Sequence, residues 1–147
     1  MTMTFERALR NAIEAERASA RFYELLRDST SDPEAKSFLT KMANDESSHA
    51  RAIEDLGRKL AKNELPLRPD DNVELVETST EWADVDEIVF EDALQVAMEA
   101  ETQASMYYSV LADLFTDQRY RDFFSDLSRT EDSHHRNLEH MQGKLVK

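Results

Sequence analysis

The stretch "NDESSHARAI", Asn44 to Ile53, puts Glu46 and His49 where a helix facing a core would carry apolar side chains. At steps of three and four the line reads Ala35, Leu39, Met42, Glu46, His49, Ile53, Leu56 and Leu60, a seam that is apolar at both ends and ionisable in the middle. Burying an ionised carboxylate costs several kcal/mol unless something compensates it, so the pair calls for a partner.

The rest of the chain supplies a second copy. At an offset of 85 residues, "FERALRNAIEAERASARFYELLRD" lies over "FEDALQVAMEAETQASMYYSVLAD", and "DESSHARAIE" lies over "TEDSHHRNLE", with no gap. About a third of the aligned positions are identical, the mark of an internal duplication. Each half reads as a helical hairpin. Thr4 caps a helix to about Ser29, and Asp32 with Pro33 starts the next. In the second half a helix from about Val89 to Leu114 is followed by a restart at Asp117 and a last helix to about Val146. Helices of this length span about 40 Å.

The expected organisation is one domain over residues 1–147, with hairpins at about 4–62 and 88–147 and a connector at about 63–87. The connector holds two prolines, scattered acids, Trp82 as a packing anchor and "NVELVET" as a brief strand candidate. At about 25 residues it is long enough to cross the length of a bundle and set the second and third helices parallel. Two glycines, three prolines and few β-branched runs agree with an all-α, four-helix bundle made of two repeated hairpins.

Written at the same spacing, every helix changes character at its centre. The first gives Phe5, Leu9, Ala12, Glu16, Ser19, Tyr23 and Leu26. The third gives Phe90, Leu94, Ala97, Glu101, Ala104, Tyr108 and Leu111. The fourth gives Tyr120, Phe124, Leu127, Glu131, His134, Leu138, Met141 and Leu145. Four carboxylates and two imidazoles therefore fall at matching heights. Two divalent metal ions would balance Glu16, Glu46, Glu101 and Glu131, with His49 and His134 as neutral nitrogen donors. One Glu from each of two helices, plus Glu-x-x-His from each of the other two, is the donor pattern of di-metal carboxylate bundles. A single Glu-x-x-His in so acidic a chain would more simply be a solvated face. The duplicated, seam-facing pair favours metal over a buried charge network. Tyr23 and Tyr108 lie two turns beyond Glu16 and Glu101 and are candidates to hydrogen-bond a ligand or hold a radical, equally readable as core tyrosines. Glu14, Glu54, Glu99 and Glu139 also repeat but fall off the seam, and they are expected in solvent with His135 and His140.

Composition narrows the function classes. A net charge of -13 disfavours nucleic acid and anionic membranes as partners and attracts cations. Without cysteine there is no disulfide, thiolate nucleophile or cysteine-ligated iron-sulfur centre. With no basic-and-apolar leader and no apolar run of about 18 residues, a cytoplasmic location is expected.

The segments "AIEAERASARFY", "ANDESSHARAIEDLG", "AMEAETQASMYY" and "TEDSHHRNLEHM" together resemble the ferritin-like di-iron superfamily, and its rubrerythrin branch most closely. That resemblance implies iron as the metal, manganese or zinc being the alternatives. It also implies reduction of hydrogen peroxide or dioxygen, an external electron donor such as a rubredoxin-like protein, and a homodimer, with hairpin exchange open to it through the long connector. Ferrous oxidation for iron sequestration is the competing activity, and a non-catalytic metal-binding bundle is a third reading. The chain departs from the branch in lacking a cysteine-ligated rubredoxin domain. It also carries Ala104 where the branch has a further glutamate, and Ser47 where haem-binding relatives have methionine.

Overall fold

The structure is a computed structural model that describes residues 4–67 and 90–145, the side chains of residues 90, 91 and 145 excepted. The "NVELVET" segment, Trp82 and most of the expected connector lie outside the described residues. Four α-helices run through the described part: α1 (Phe5–Ser29), α2 (Pro33–Leu60), α3 (Phe90–Leu114) and α4 (Gln118–Leu145). No strand occurs among the described residues. The all-α, four-helix class read from the sequence is the one observed.

The chain divides into two compact units, residues 1–88 and 89–147, each built on one helical hairpin. In the first, Thr4 Oγ1 accepts from the Arg7 N–H at 3.1 Å and opens α1. Ser29 Oγ donates to the Leu26 carbonyl at its end. Asp32 then caps α2 through Glu34 N–H, with Pro33 in the first turn where a missing N–H is harmless. With so short a turn, α2 runs back antiparallel to α1 and packs along its length. Phe5, Leu9, Ala12, Ile13, Tyr23 and Leu26 of α1 are buried, as are Leu39, Met42 and Ile53 of α2.

The α2 stripe slips by one residue near its end. Leu56, placed on the seam by the sequence, is 50 % exposed, and Gly57 is buried in its stead. A strict seven-residue seam drifts around a straight 3.6-residue helix, and by Ile53 the inward direction has moved on to position 57. Glycine fits there because Leu9 of α1 comes so close that an added β-carbon would stand 2.3 Å from its methyl carbons.

Beyond α2 the chain is clasped to the start of α1. The Glu6 carboxylate accepts from the N–H groups of Lys62 at 2.9 Å and Asn63 at 3.0 Å. Arg10 Nε donates to the Pro66 carbonyl at 2.7 Å. Burial raises the Glu6 pKa, but the backbone and side-chain hydrogen bonds to its carboxylate outweigh that and hold it below the ordinary glutamate value.

Two of the glutamates expected in solvent are half-buried. Glu14 accepts from Arg10 and Arg17, and Glu54 from Arg17 and Arg58, each at 3.1 Å, so Arg17 links α1 to α2. Glu99, Glu139 and His140 are exposed as expected, and His135 is intermediate.

In the second unit, Asp117 caps α4 by accepting from Arg119 N–H at 2.9 Å. The Arg121 guanidinium closes the turn by donating to the Phe115 carbonyl. The α3/α4 interface near this turn is aromatic. Tyr108 stacks on Phe124 with centroids 6.4 Å apart, Phe115 stacks on the same ring at 5.7 Å, and Tyr120 meets Phe115 edge-on. Such offset and edge-on pairs add to the stabilisation from area burial alone. No described helix is long and apolar enough to cross a membrane.

Candidate metal centre

Each hairpin brings together two carboxylates and one imidazole. In the first, Glu16 sits mid-way along α1, and Glu46 and His49 project from successive turns of one face of α2. Glu16, Glu46 and His49 each offer a ligand atom within 4.8 Å of the others. His49 Nδ1 stands 3.4 Å from Glu16 Oε2. In the second, Glu101 of α3 faces Glu131 and His134 of α4, again within 4.8 Å. His134 Nδ1 is 3.7 Å from Glu101 Oε2 and 3.9 Å from Glu131 Oε2.

These groups are deep. Glu46 is wholly buried, and Glu16, Glu101, Glu131 and His134 are buried as well. The atoms Glu16 Oε2, both carboxylate oxygens of Glu46, His49 Nδ1, Glu131 Oε1 and His134 Nδ1 are shut off from solvent. Around them the seam returns to apolar residues: Ala12 and Tyr23 on α1, Met42 and Ile53 on α2, Ala97 and Tyr108 on α3, and Leu127 and Leu138 on α4.

The donor chemistry fits a divalent transition metal. Two carboxylates bring a charge of -2 to each triad, one divalent ion cancels it, and imidazole adds the borderline nitrogen donor such ions favour. No cation from Lys or Arg is needed for the balance.

All six residues singled out as ligands in the sequence are thus drawn into the two triads, three to each. Tyr23 and Tyr108 are buried on the same helix faces, two turns beyond Glu16 and Glu101. Tyr23 meets Phe22 edge-on at 5.8 Å, and Tyr108 lies against Tyr107 and Phe124. Sequence reading did not find the polar contact beside the second triad, where Ser105 of α3 bonds to Ser128 and Asp132 of α4. The signal was present in the repeat, since the corresponding residues of the first half are Ala20, Ala43 and Ser47.

Compared with known proteins, the rubrerythrin family profile matches residues 7–142, which takes in all six triad residues and both tyrosines. The chain belongs to the rubrerythrin family. Its place there rests on nearly the whole length of both hairpins. Among solved structures, a hypothetical protein from Pyrococcus furiosus superposes with a TM-score of 0.75 at 19 % identity, covering 98 % of this chain and 91 % of that one. At that identity the likeness concerns the fold. No curated protein matches the sequence significantly. In this rubrerythrin-family chain the triads are built from the duplicated Glu-x-x-His and the two lone glutamates, a buried cluster that could hold metal.

Proposed function

We propose that each triad binds one divalent iron and that the pair acts as a di-iron centre reducing hydrogen peroxide or dioxygen. The observation that carries this reading is the burial of two Glu-Glu-His triads, one per hairpin, in a chain of the rubrerythrin family. When bound, two ferrous ions supply two electrons, enough with two protons to convert hydrogen peroxide to two waters.

The chain's own residues do the remaining work. Glu16, Glu46, Glu101 and Glu131 would hold the ions and neutralise their charge. His49 and His134 would each add one imidazole nitrogen, from α2 and α4 respectively. The apolar residues above and below each triad keep bulk water from the reacting atoms. The phenol groups of Tyr23 and Tyr108 are assigned to donate protons or hydrogen bonds to the bound oxidant. An external reductase, such as a rubredoxin-like protein, is assigned to restore the ferrous state, since this sequence has no cysteine with which to ligate a rubredoxin-type iron.

One observation favours ferrous oxidation for iron sequestration as a second reading. Ala104, half-buried one turn after Glu101, stands where the rubrerythrin pattern carries a further carboxylate. The two readings separate on anaerobic loading with ferrous iron followed by peroxide or dioxygen in separate experiments. Peroxide oxidation at two irons per chain, much faster than oxidation by dioxygen and repeatable when reductant is supplied, supports the reductase. Iron accumulation far beyond two per chain supports sequestration. Failure of either oxidant to change the optical spectrum of the loaded protein contradicts both.

A further inference from the structure

The two triads repeat in sequence, but their supports do not. On α3, Ser105 lies one turn past Glu101. On α4, Ser128 lies one turn before Glu131, and Asp132 directly follows it. Ser105 Oγ donates to Asp132 Oδ1 at 2.6 Å. The Ser128 hydroxyl, with one proton to give, reaches both the Ser105 carbonyl at 2.9 Å and the Ser105 hydroxyl at 3.0 Å. Ser105 is buried and Ser128 partly so, so the bonds between the two serines are shielded from competing water, while Asp132 accepts from the exposed side. They fix the register of α3 against α4 at the level where Glu101 and Glu131 project.

In the first hairpin the corresponding positions are Ala20, Ala43 and Ser47. Ala20 and Ala43 are buried and have no side-chain group that could bond across the helix pair. The α1/α2 pair is instead bridged on its outer side by Arg17, 42 % exposed, which pairs with Glu14 of α1 and Glu54 of α2, while the Glu6 clasp holds only the segment that follows α2. His49 also keeps more side-chain exposure, 17 % against 10 % for His134.

We infer that the two metal positions are unequal: the Glu101, Glu131 and His134 triad, held by Ser105, Ser128 and Asp132 as positioning residues, takes its divalent ion first and more tightly. Ligands already held in place lose less freedom on binding than ligands on helices that can still slide. The inference rests on the proposed binding of one ion by each triad.

The test is an anaerobic titration of the full chain with cobalt(II), a spectroscopically visible stand-in for ferrous iron, against a chromophoric chelator, with urea midpoints recorded for each variant. Wild type should bind two ions in steps separated by about tenfold, the lower end of what supporting residues around ligands contribute. His49→Ala should keep the tight step and His134→Ala should lose it. Ser105→Ala with Ser128→Ala, which installs the residues of the first hairpin, should weaken the tight step to within about threefold of the other and leave the weak step unmoved. A general loosening would weaken both steps together. Asp132→Ala at an exposed position should shift the tight step in the same direction. Asp132→Asn, whose amide oxygen still accepts from Ser105, should restore it. Two ions bound with equal affinity in wild type, a tight step untouched by the serine double variant, or a tight step lost in Asp132→Asn would each overturn the inference. Fewer than two ions in wild type would overturn the proposed function along with it.

Discussion

His49 Nδ1 lies 3.4 Å from Glu16 Oε2, a contact that joins the middle of α2 to the middle of α1 with both groups largely withdrawn from water. A Glu and a His drawn together inside a helical hairpin, with the wholly buried Glu46 carboxylate beside them, make a poor core and a good metal site.

The two roles can be pulled apart at Glu46. In metal-free protein its buried carboxylate opposes folding, so Glu46→Gln should stabilise the apo chain by about 1 kcal/mol. In wild type, divalent metal at 100 times its dissociation constant should add about 2.7 kcal/mol per site, and the variant should lose that gain at the first triad. Thermal melts with metal and with chelator check both signs. A Glu46→Gln chain less stable than wild type in chelator would contradict the cost assigned to burying this carboxylate.

The two glycines should respond oppositely to alanine. At Gly57 the added methyl meets Leu9, which is itself fully buried. Overpacking of about 1 to 3 kcal/mol should outweigh the helix propensity gain of about 1 kcal/mol. At Gly143, in the last turns of α4, nothing lies within 4 Å of the new carbon, so alanine there should stabilise by about 0.5 to 1 kcal/mol. Denaturant midpoints of the two single variants decide the comparison.

The Glu6 clasp gives a pH signature. Because its hydrogen bonds hold the folded pKa below the ordinary value, its stabilisation is present above the unfolded carboxylate pKa and is lost as pH falls through the folded one. Glu6→Ala should cost about 1 to 2 kcal/mol at neutral pH, and its deficit against wild type should stay level down to about pH 5 and then narrow. Urea unfolding of both chains across that range measures the narrowing. A constant deficit down to pH 3 would show that the ionised form contributes nothing.

Phe124 carries the aromatic stack of the second unit, and its repeat partner in the first is Leu39; both are fully buried. Phe124→Leu should therefore be tolerated at about 1 to 2 kcal/mol. Phe124→Ala should cost about 3 to 5 kcal/mol by leaving a cavity beneath Tyr108 and Phe115. Equal losses for the two variants would mean that the stack, rather than volume, sets the stability.

The helices and the groups they bring together were legible because the chain states them twice. A Glu-x-x-His on a seam is ambiguous alone, but its recurrence with Glu131 and His134 fixes the helical phase of both hairpins, and the caps at Thr4 and Asp32 set helix starts by local chemistry. Contacts between helices were less visible. The slip from Leu56 to Gly57 depends on how closely Leu9 approaches. The half-burial of Glu14 and Glu54 depends on arginines up to 37 residues away, and the Glu6 clasp on backbone 56 residues on. Ser105, Ser128 and Asp132 look like ordinary polar residues until α3 and α4 are laid side by side. Periodicity reports the face a residue occupies, and it is silent on what that face meets.

The central claim, that the chain carries two metal ions on these six side chains, is tested most directly by counting iron. Ferrous iron is added anaerobically to apoprotein, unbound metal is removed, and iron per chain is measured for wild type and for Glu46→Ala combined with His134→Ala, which takes one ligand from each triad. Two irons in wild type and essentially none in the double variant is the predicted result. Two irons retained by the double variant, or none held by wild type, would contradict it.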